Sequence, residues 1–278
     1  MKNLINVLKG MIIGVANIIP GVSGGTLMII LGVYEEIIET ISHFFSNFKK
    51  NILYLLPFGI GMIISILILS KVISFSLEKY PFATTIFFIG LIIGGIPLLW
   101  EKASASKNKI SNWIVFLITF SIVLLFTFMK SDSNMISLNN LEFFDYVKLF
   151  FVGIISAGTM VIPGISGSFV LMLLGYYESI VNVIKNLTDF ANLGKNLLIL
   201  IPFGIGILVG IILVAKLLEY LFNKYPVKTN YGVLGFVISS IIAIVISILH
   251  VHVNLLEVII SIILFIVGGI IAYKLGEK

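Results

Sequence analysis

Hydrophobic and polar positions divide the chain into a series of apolar runs separated by short polar stretches that carry most of the lysines. A helix needs about 20 apolar residues to cross ~30 Å of hydrocarbon. By that criterion simple spans are predicted near 52–77, 83–100, 112–129, 197–222, 229–249 and 255–274. Two further segments, 4–42 and 147–184, are each too long for one span and are interrupted by IPGVSGG and IPGISGS. Each reads as a helix, a loop and a second helix. The limbs ahead of the interruptions, Leu4 to Ile19 and Tyr146 to Ile162, are short for a crossing, so a re-entrant hairpin stands beside a double crossing.

The interrupted segments are copies of one another. Ile19, Pro20, Gly21, Ser23, Gly24, Leu31, Gly32, Tyr34 and Glu35 match Ile162, Pro163, Gly164, Ser166, Gly167, Leu174, Gly175, Tyr177 and Glu178. Farther on, PFGIG at Pro57 to Gly61 matches Pro202 to Gly206, and Lys71, Tyr80 and Pro81 match Lys216, Tyr225 and Pro226. Chance likeness between apolar helices would not align Pro, Gly, Ser and Glu together. The chain therefore reads as two repeats, 1–140 and 141–278, within one membrane domain. Each repeat has one broken segment, which returns to its starting side either way, and three simple spans. An odd number of net crossings inverts the second repeat. The expected fold is an all-α polytopic membrane protein built from two inverted-topology repeats, each a broken helical hairpin plus three transmembrane helices. Such repeats with interrupted helices mark secondary transporters whose site lies at the repeat interface.

Composition agrees and sets the orientation. The chain has 59% hydrophobic and 11% charged residues with a mean hydropathy of +1.16, against roughly 25% charged in an average soluble domain. A soluble globule is excluded. The net charge of +5 resides in lysines between apolar runs, which suits cytoplasmic loops and not nucleic acid. An inside N-terminus puts Lys2, Lys9, Lys49, Lys50, Lys102, Lys107, Lys109, Lys224, Lys228, Lys274 and Lys278 on the cytoplasmic side. Only Lys79, Lys130, Lys148, Lys185 and Lys195 fall outside. Positive residues concentrate inside, so both termini are expected in the cytoplasm. Lys2 and Lys9 flank an apolar run as in a secretory signal, but no small-residue cleavage site follows and the segment recurs internally.

Backbone groups freed by a helix break cost several kcal/mol each in a bilayer unless they face protein, water or ligand. The two breaks should therefore face each other or a cavity. Pro20 and Pro163 end the hydrogen-bond ladder, and Gly21, Gly24, Gly25, Gly164 and Gly167 permit tight turns. The helices that follow begin with free N–H groups, next to the hydroxyls of Ser23, Thr26, Ser166 and Ser168. Each such end is a candidate anion site, above all for phosphate. For a single PGxSG, simple kinking and packing would be the better reading; duplication in inverted halves reverses that.

Lys71 and Lys216 lie within apolar runs, where they either lend a point charge to the phosphate or snorkel to the interface. Glu35 and Glu178 lie 12 residues beyond Ser23 and Ser166, about 18 Å along a straight helix. They read as proton-coupling carboxylates, salt partners of the lysines, or interfacial helix-end residues. Pro57 and Pro202 read as gating kinks or as first-turn prolines of helices starting near 55 and 200.

Enzymatic readings fail on inventory. GVSGG fits the nucleophile-elbow pattern and GVSG or GISG an intramembrane serine protease, but either needs a base within reach of the serine. His43, His250 and His252 lie near segment ends, and the second copy, GISGS, breaks the elbow pattern. Without Arg, a phosphatase built on Arg and His is weaker still. Without Cys there is no thiolate chemistry or disulfide, and no His or carboxylate spacing suggests a metal.

KGMIIGVANIIPGVSGGTLMIILGVYEEII, its echo GTMVIPGISGSFVLMLLGYYESI and the paired PFGIG runs resemble the PopT family of bacterial polyprenyl-phosphate transporters over essentially the whole chain. That resemblance implies a cofactor-free flippase of the bacterial cytoplasmic membrane, coupled to a proton or sodium gradient. It would return undecaprenyl phosphate to the inner leaflet for cell-wall synthesis. Carried over by motif, the phosphate donors are Ser23, Gly24, Gly25, Thr26, Ser166, Gly167 and Ser168, with Lys71 and Lys216 for charge and Glu35 and Glu178 for coupling. Asn17 and Gly25 align with Met160 and Ser168, so the two loops are expected to bind unequally. The competing readings are a carrier for a small soluble anion and a non-transporting membrane scaffold. A lipid substrate predicts a lateral opening between spans, and a soluble one a cavity sealed from lipid.

Overall fold

The computed structural model describes residues 2–18, 23–105, 109–129, 136–138, 141–185, 193–251 and 253–276, and among these the regular structure is helical throughout. The first half runs α1 (Lys2–Ile18), α2 (Gly24–Ile30), α3 (Tyr34–Ser42), α4 (Phe48–Ile64), a π turn (Ser65–Leu69), α5 (Ser70–Lys79), α6 (Pro81–Ser104) and α7 (Ile110–Phe128). The second runs α8 (Phe143–Val161), α9 (Gly167–Leu173), α10 (Tyr177–Lys185), α11 (Leu193–Lys224), α12 (Pro226–Ile248) and α13 (Leu255–Gly276). Seven stretches are long and apolar enough to cross a membrane: α4 with its π turn, α6, α7, α8, α11, α12 and α13. The chain is thus a multi-pass helical membrane protein, and the six simple spans fall where the apolar runs place them. The limb before the second break is longer than expected: α8 has 19 residues and suffices for a crossing, whereas α1 has 17 and is a shorter apolar helix.

Two expectations need correction. The limb after each break is not one helix but two short ones. Gly32 (φ 67°) and Gly175 (φ 77°) adopt the left-handed conformation that glycine enters without a Cβ penalty. The Gly32 N–H donates to the Ile29 carbonyl (2.9 Å) and the Val33 N–H to that of Met28 (3.0 Å). Gly175 and Tyr176 repeat the pattern on Met172 and Leu171. This pair of bonds is the Schellman stop signal, and it turns α10 away from α9 by 111°. Glu35 and Glu178 therefore do not lie down a straight helix from their serines. Second, α4 and α11 start at Phe48 and Leu193, so Pro57 and Pro202 lie inside helices and the first-turn reading is excluded.

Small residues decide the packing around those prolines. A Cβ on Gly61 would collide with the Val7 carbonyl, and one on Gly10 with that of Phe58. One on Gly206 would strike the Phe150 carbonyl, and one on Gly153 that of Phe203. The last glycine of each PFGIG thus lets α1 cross α4, and α8 cross α11, backbone against backbone, as small residues do in membrane bundles. The outer spans pair crosswise between halves: α6 packs on α13 and α7 on α12, while α6 and α12 meet at the centre. The main apolar core joins both halves through Ile13, Leu27, Ile30, Ile92, Val161, Leu234 and Val237.

Candidate functional site

The residues at the two breaks adopt one conformation. Ser23 (φ −92°, ψ 130°) precedes α2 and Ser166 (φ −93°, ψ 120°) precedes α9, both in extended backbone. A serine here ordinarily caps its helix by accepting from an N–H of the first turn. Neither does so, which leaves both hydroxyls to other partners. Ser166 Oγ meets Ser168 Oγ at 2.8 Å. Ser23 is only 5% exposed, and its Oγ has no hydrogen-bond partner among the described residues. An unsatisfied buried hydroxyl costs about 1–3 kcal/mol, a cost that a ligand or water oxygen in the adjoining space would remove.

That space is a cavity of about 520 Å³. Ser23 and Gly24 of the first half and Ser166, Gly167 and Ser168 of the second line its polar end. Its apolar walls are Ile37, Ile38 and Ile41 of α3, Leu55, Phe58, Gly59 and Met62 of α4, Met160 and Val161 of α8, and Ile211 of α11. Among the described residues α4 and α11 show no strong mutual packing, and α3 packs on both of them. Met160, part of this lining, is 50% exposed.

Two hydrogen bonds hold the breaks together across more than a hundred residues of chain. The Gly164 N–H donates to Thr26 Oγ1 at 2.8 Å, and the Tyr34 hydroxyl donates to the Val161 carbonyl, also at 2.8 Å. Both satisfy backbone groups that the second break frees from its own helix, as burial requires. Gly25 serves the same contact: a Cβ there would lie 3.2 Å from the Val161 carbonyl oxygen and 3.3 Å from Pro163 Cα.

Of the expected donors, then, Ser23, Gly24, Ser166, Gly167 and Ser168 line one cavity, while Gly25 and Thr26 lie behind it and join the loops. Pro20 and Gly21 lie outside the described residues. Lys71 falls on α5, with its side chain outside what is described, and Lys216 is exposed on α11, away from the cavity. Glu35 pairs with Lys102 at 2.8 Å on the surface, and Glu178 is exposed in the first turn of α10. Among the described residues no cluster of His, Asp or Glu could hold a metal ion.

Two features escaped the sequence. Lys9, grouped above with the cytoplasmic lysines, is buried at 5% exposure and its ammonium donates to the Leu31 carbonyl at 2.7 Å. It places a positive charge at the C-terminal end of α2, where a helix favours one; Val152 holds the matching position of the second half. The apolar flanks LINV and MIIG were the available signal. The second feature is a tie between halves: the Ser42 hydroxyl donates to Glu219, and His43 Nδ1 lies 3.3 Å from the same carboxylate. Chemically, the site offers hydroxyls and close backbone approach in an otherwise apolar cavity. That suits an anionic headgroup on an apolar tail.

Residues 13–257 match the family described as undecaprenyl phosphate translocase-like. A polyprenyl-phosphate transporter of Staphylococcus aureus is 32% identical over 98% of this chain and 96% of its own length. A polyprenyl-phosphate transporter of Vibrio cholerae is 28% identical over 87% of this chain and 77% of its own. No solved structure matches the chain.

Proposed function

The chain belongs to the undecaprenyl phosphate translocase-like family, and from that premise we propose that it returns undecaprenyl phosphate from the outer to the inner leaflet of the cytoplasmic membrane. There the lipid re-enters cell-wall precursor synthesis. The protein is a transporter and not an enzyme. The single observation that carries the reading is the buried Ser23 hydroxyl, unpartnered among the described residues, beside a cavity lined by both breaks.

In this mechanism the phosphate accepts hydrogen bonds from Ser23, Ser166 and Ser168, while Gly24 and Gly167 let it approach the backbone. The prenyl tail stays in lipid, leaving the cavity past the half-exposed Met160. The two halves, 1–140 and 141–278, act as inverted repeats with both termini cytoplasmic, and exchange of their arrangements alternates access to the central site. Lys71 and Lys216 supply positive charge on the approach to the site and not at the cavity itself, and Glu35 and Glu178 couple the exchange to a proton or sodium gradient.

The test is transbilayer movement of a labelled polyprenyl phosphate in proteoliposomes, with and without an ion gradient. Wild-type protein moves the lipid, and the Ser23→Ala, Ser166→Ala double variant loses that movement while remaining folded and inserted. Folded wild-type protein that moves no lipid under either condition would overturn the reading in favour of a soluble anion or a scaffold role.

A further inference from the structure

A second cavity, of about 370 Å³, borders the second break at Pro163 and is separate from the central one. Its floor is α12, through Gly232, Val233 and Phe236, and its walls are Val115 and Thr119 of α7 with Leu218 and Leu221 of α11. Helices α7 and α11 both pack on α12, but among the described residues they do not pack on each other. The space is therefore a groove between them, over α12. From Lys228 to Phe236 is eight residues of α12, about 12 Å. Gly164, next to Pro163, sits against the Phe236 backbone, so the inner end of the groove abuts the loop that carries Ser166 and Ser168.

The other end is cationic. Lys228 is half-buried and makes no ion pair among the described residues. Its ammonium lies 5.8 Å from the Tyr225 ring centroid, and that of Lys224 lies 5.5 Å from the same ring. No acidic side chain lines the groove. The Thr229 hydroxyl donates to the Leu221 and Tyr225 carbonyls and so is already engaged. The passage is narrow: a Cβ placed on Gly232 would lie 3.2 Å from Val115 and 3.5 Å from Thr119. There α7 and α12 are already close to contact, so a bound chain lies on the α11 side, against Leu218 and Leu221.

We propose that this groove is a second station for the lipid phosphate, with the phosphate on Lys228 and a single prenyl chain along α12 toward Pro163. The station rests on the transport reading above. It places the lipid one loop away from the central cavity, at the end of α12 where Lys224 and Lys228 gather.

The full chain in phosphatidylcholine nanodiscs is labelled with a short-chain polyprenyl phosphate carrying a photoreactive group on its tail, and labelled peptides are mapped by mass spectrometry. Label is expected on residues 232–236 and 115–119 as well as beside the central cavity at Phe58 and Met160. Unlabelled polyprenyl phosphate competes at both places, and excess phosphatidylglycerol at neither. Lys228→Glu lowers groove label about fivefold or more, as expected for loss of one lysine–phosphate contact, and leaves central label unchanged. Leu221→Trp does the same by filling the groove from its α11 wall. Central label that persists in both variants also shows that they are folded. Groove label that phosphatidylglycerol removes, or that survives both variants, would overturn the second station alone. Label at neither place would overturn the transport reading with it.

Discussion

The same motif sits in different surroundings in the two halves. In α2, Gly24, Gly25, Thr26, Leu27, Ile29 and Ile30 are buried and the helix packs on α6, whereas α9 buries only Gly167, Val170 and Leu171 and has no comparable packing on α12 among the described residues. Helix α3 lies along α11, held by Ser42, His43 and the edge of Phe222 against Tyr34. Its counterpart α10 makes no comparable packing on α4 among the described residues. Matched sequences in unmatched environments are what alternating access needs: one half clamped and the other loose, with the roles exchangeable. On the proposed reading the structure is one of two such arrangements, closed where α3 meets α11.

Holding that clamp shut should give the largest effect. The chain has no Cys, so cysteines introduced at Ser42 and Glu219 can be joined selectively by a short, cleavable thiol cross-linker. Transport is expected to fall about tenfold or more when they are joined and to recover on cleavage, because a carrier held in one arrangement cannot complete its cycle. Transport that continues in fully cross-linked protein would mean that the difference between halves is static.

Much of this was legible in sequence because its signals are covalent or compositional. Span length, the duplicated break and the meeting of the breaks followed from apolar runs, from Pro and Gly, and from the cost of unpaired backbone in lipid. What escaped depends on partners far along the chain. Gly32 and Gly175 stood in the aligned motif but read as helix, since one glycine inside an apolar run costs a helix only ~1 kcal/mol. Thr26 read as a donor to phosphate, yet its acceptor role toward Gly164 is set by packing between halves. Lys9 read as a topology marker because charge counting does not see that α2 folds back to offer the Leu31 carbonyl.

Glycine substitutions sharpen the comparison by asking what the halves share. Gly61→Ala and Gly206→Ala each force a Cβ into a neighbouring backbone and are expected to destabilise by about 1–3 kcal/mol. Gly59→Ala and Gly204→Ala meet nothing within 4 Å and should stabilise by about 0.5–1 kcal/mol, the helix preference for Ala. Thermal unfolding in one detergent measures all four. Equal responses from the two halves identify a common scaffold; opposite signs within either PFGIG pair are the essential result. Between these magnitudes lies Thr26→Val, which leaves the Gly164 N–H without its acceptor at an expected cost of about 1–2 kcal/mol. Thr26→Ser keeps the oxygen and should restore nearly all of it. Phe169 matches Thr26 in the second half, so this bond has no twin there.

The smallest effect on folding belongs to the matched carboxylates, and it isolates function from stability. Glu35 and Lys102 form an ion pair with both side chains about half-exposed, and such pairs contribute about 0–1 kcal/mol. Glu35→Gln should therefore shift thermal unfolding by little, and Glu178→Gln, at an exposed position, by less. Transport separates the halves where stability does not. If the carboxylates carry the coupling ion, the double variant still moves lipid down its own gradient but no longer responds to an imposed proton or sodium gradient, and each single variant shows which half bears the ion. A double variant that keeps the full gradient response would remove both carboxylates from coupling. Lys9 would then be the ionisable side chain to test, because it is buried in one half and replaced by Val152 in the other.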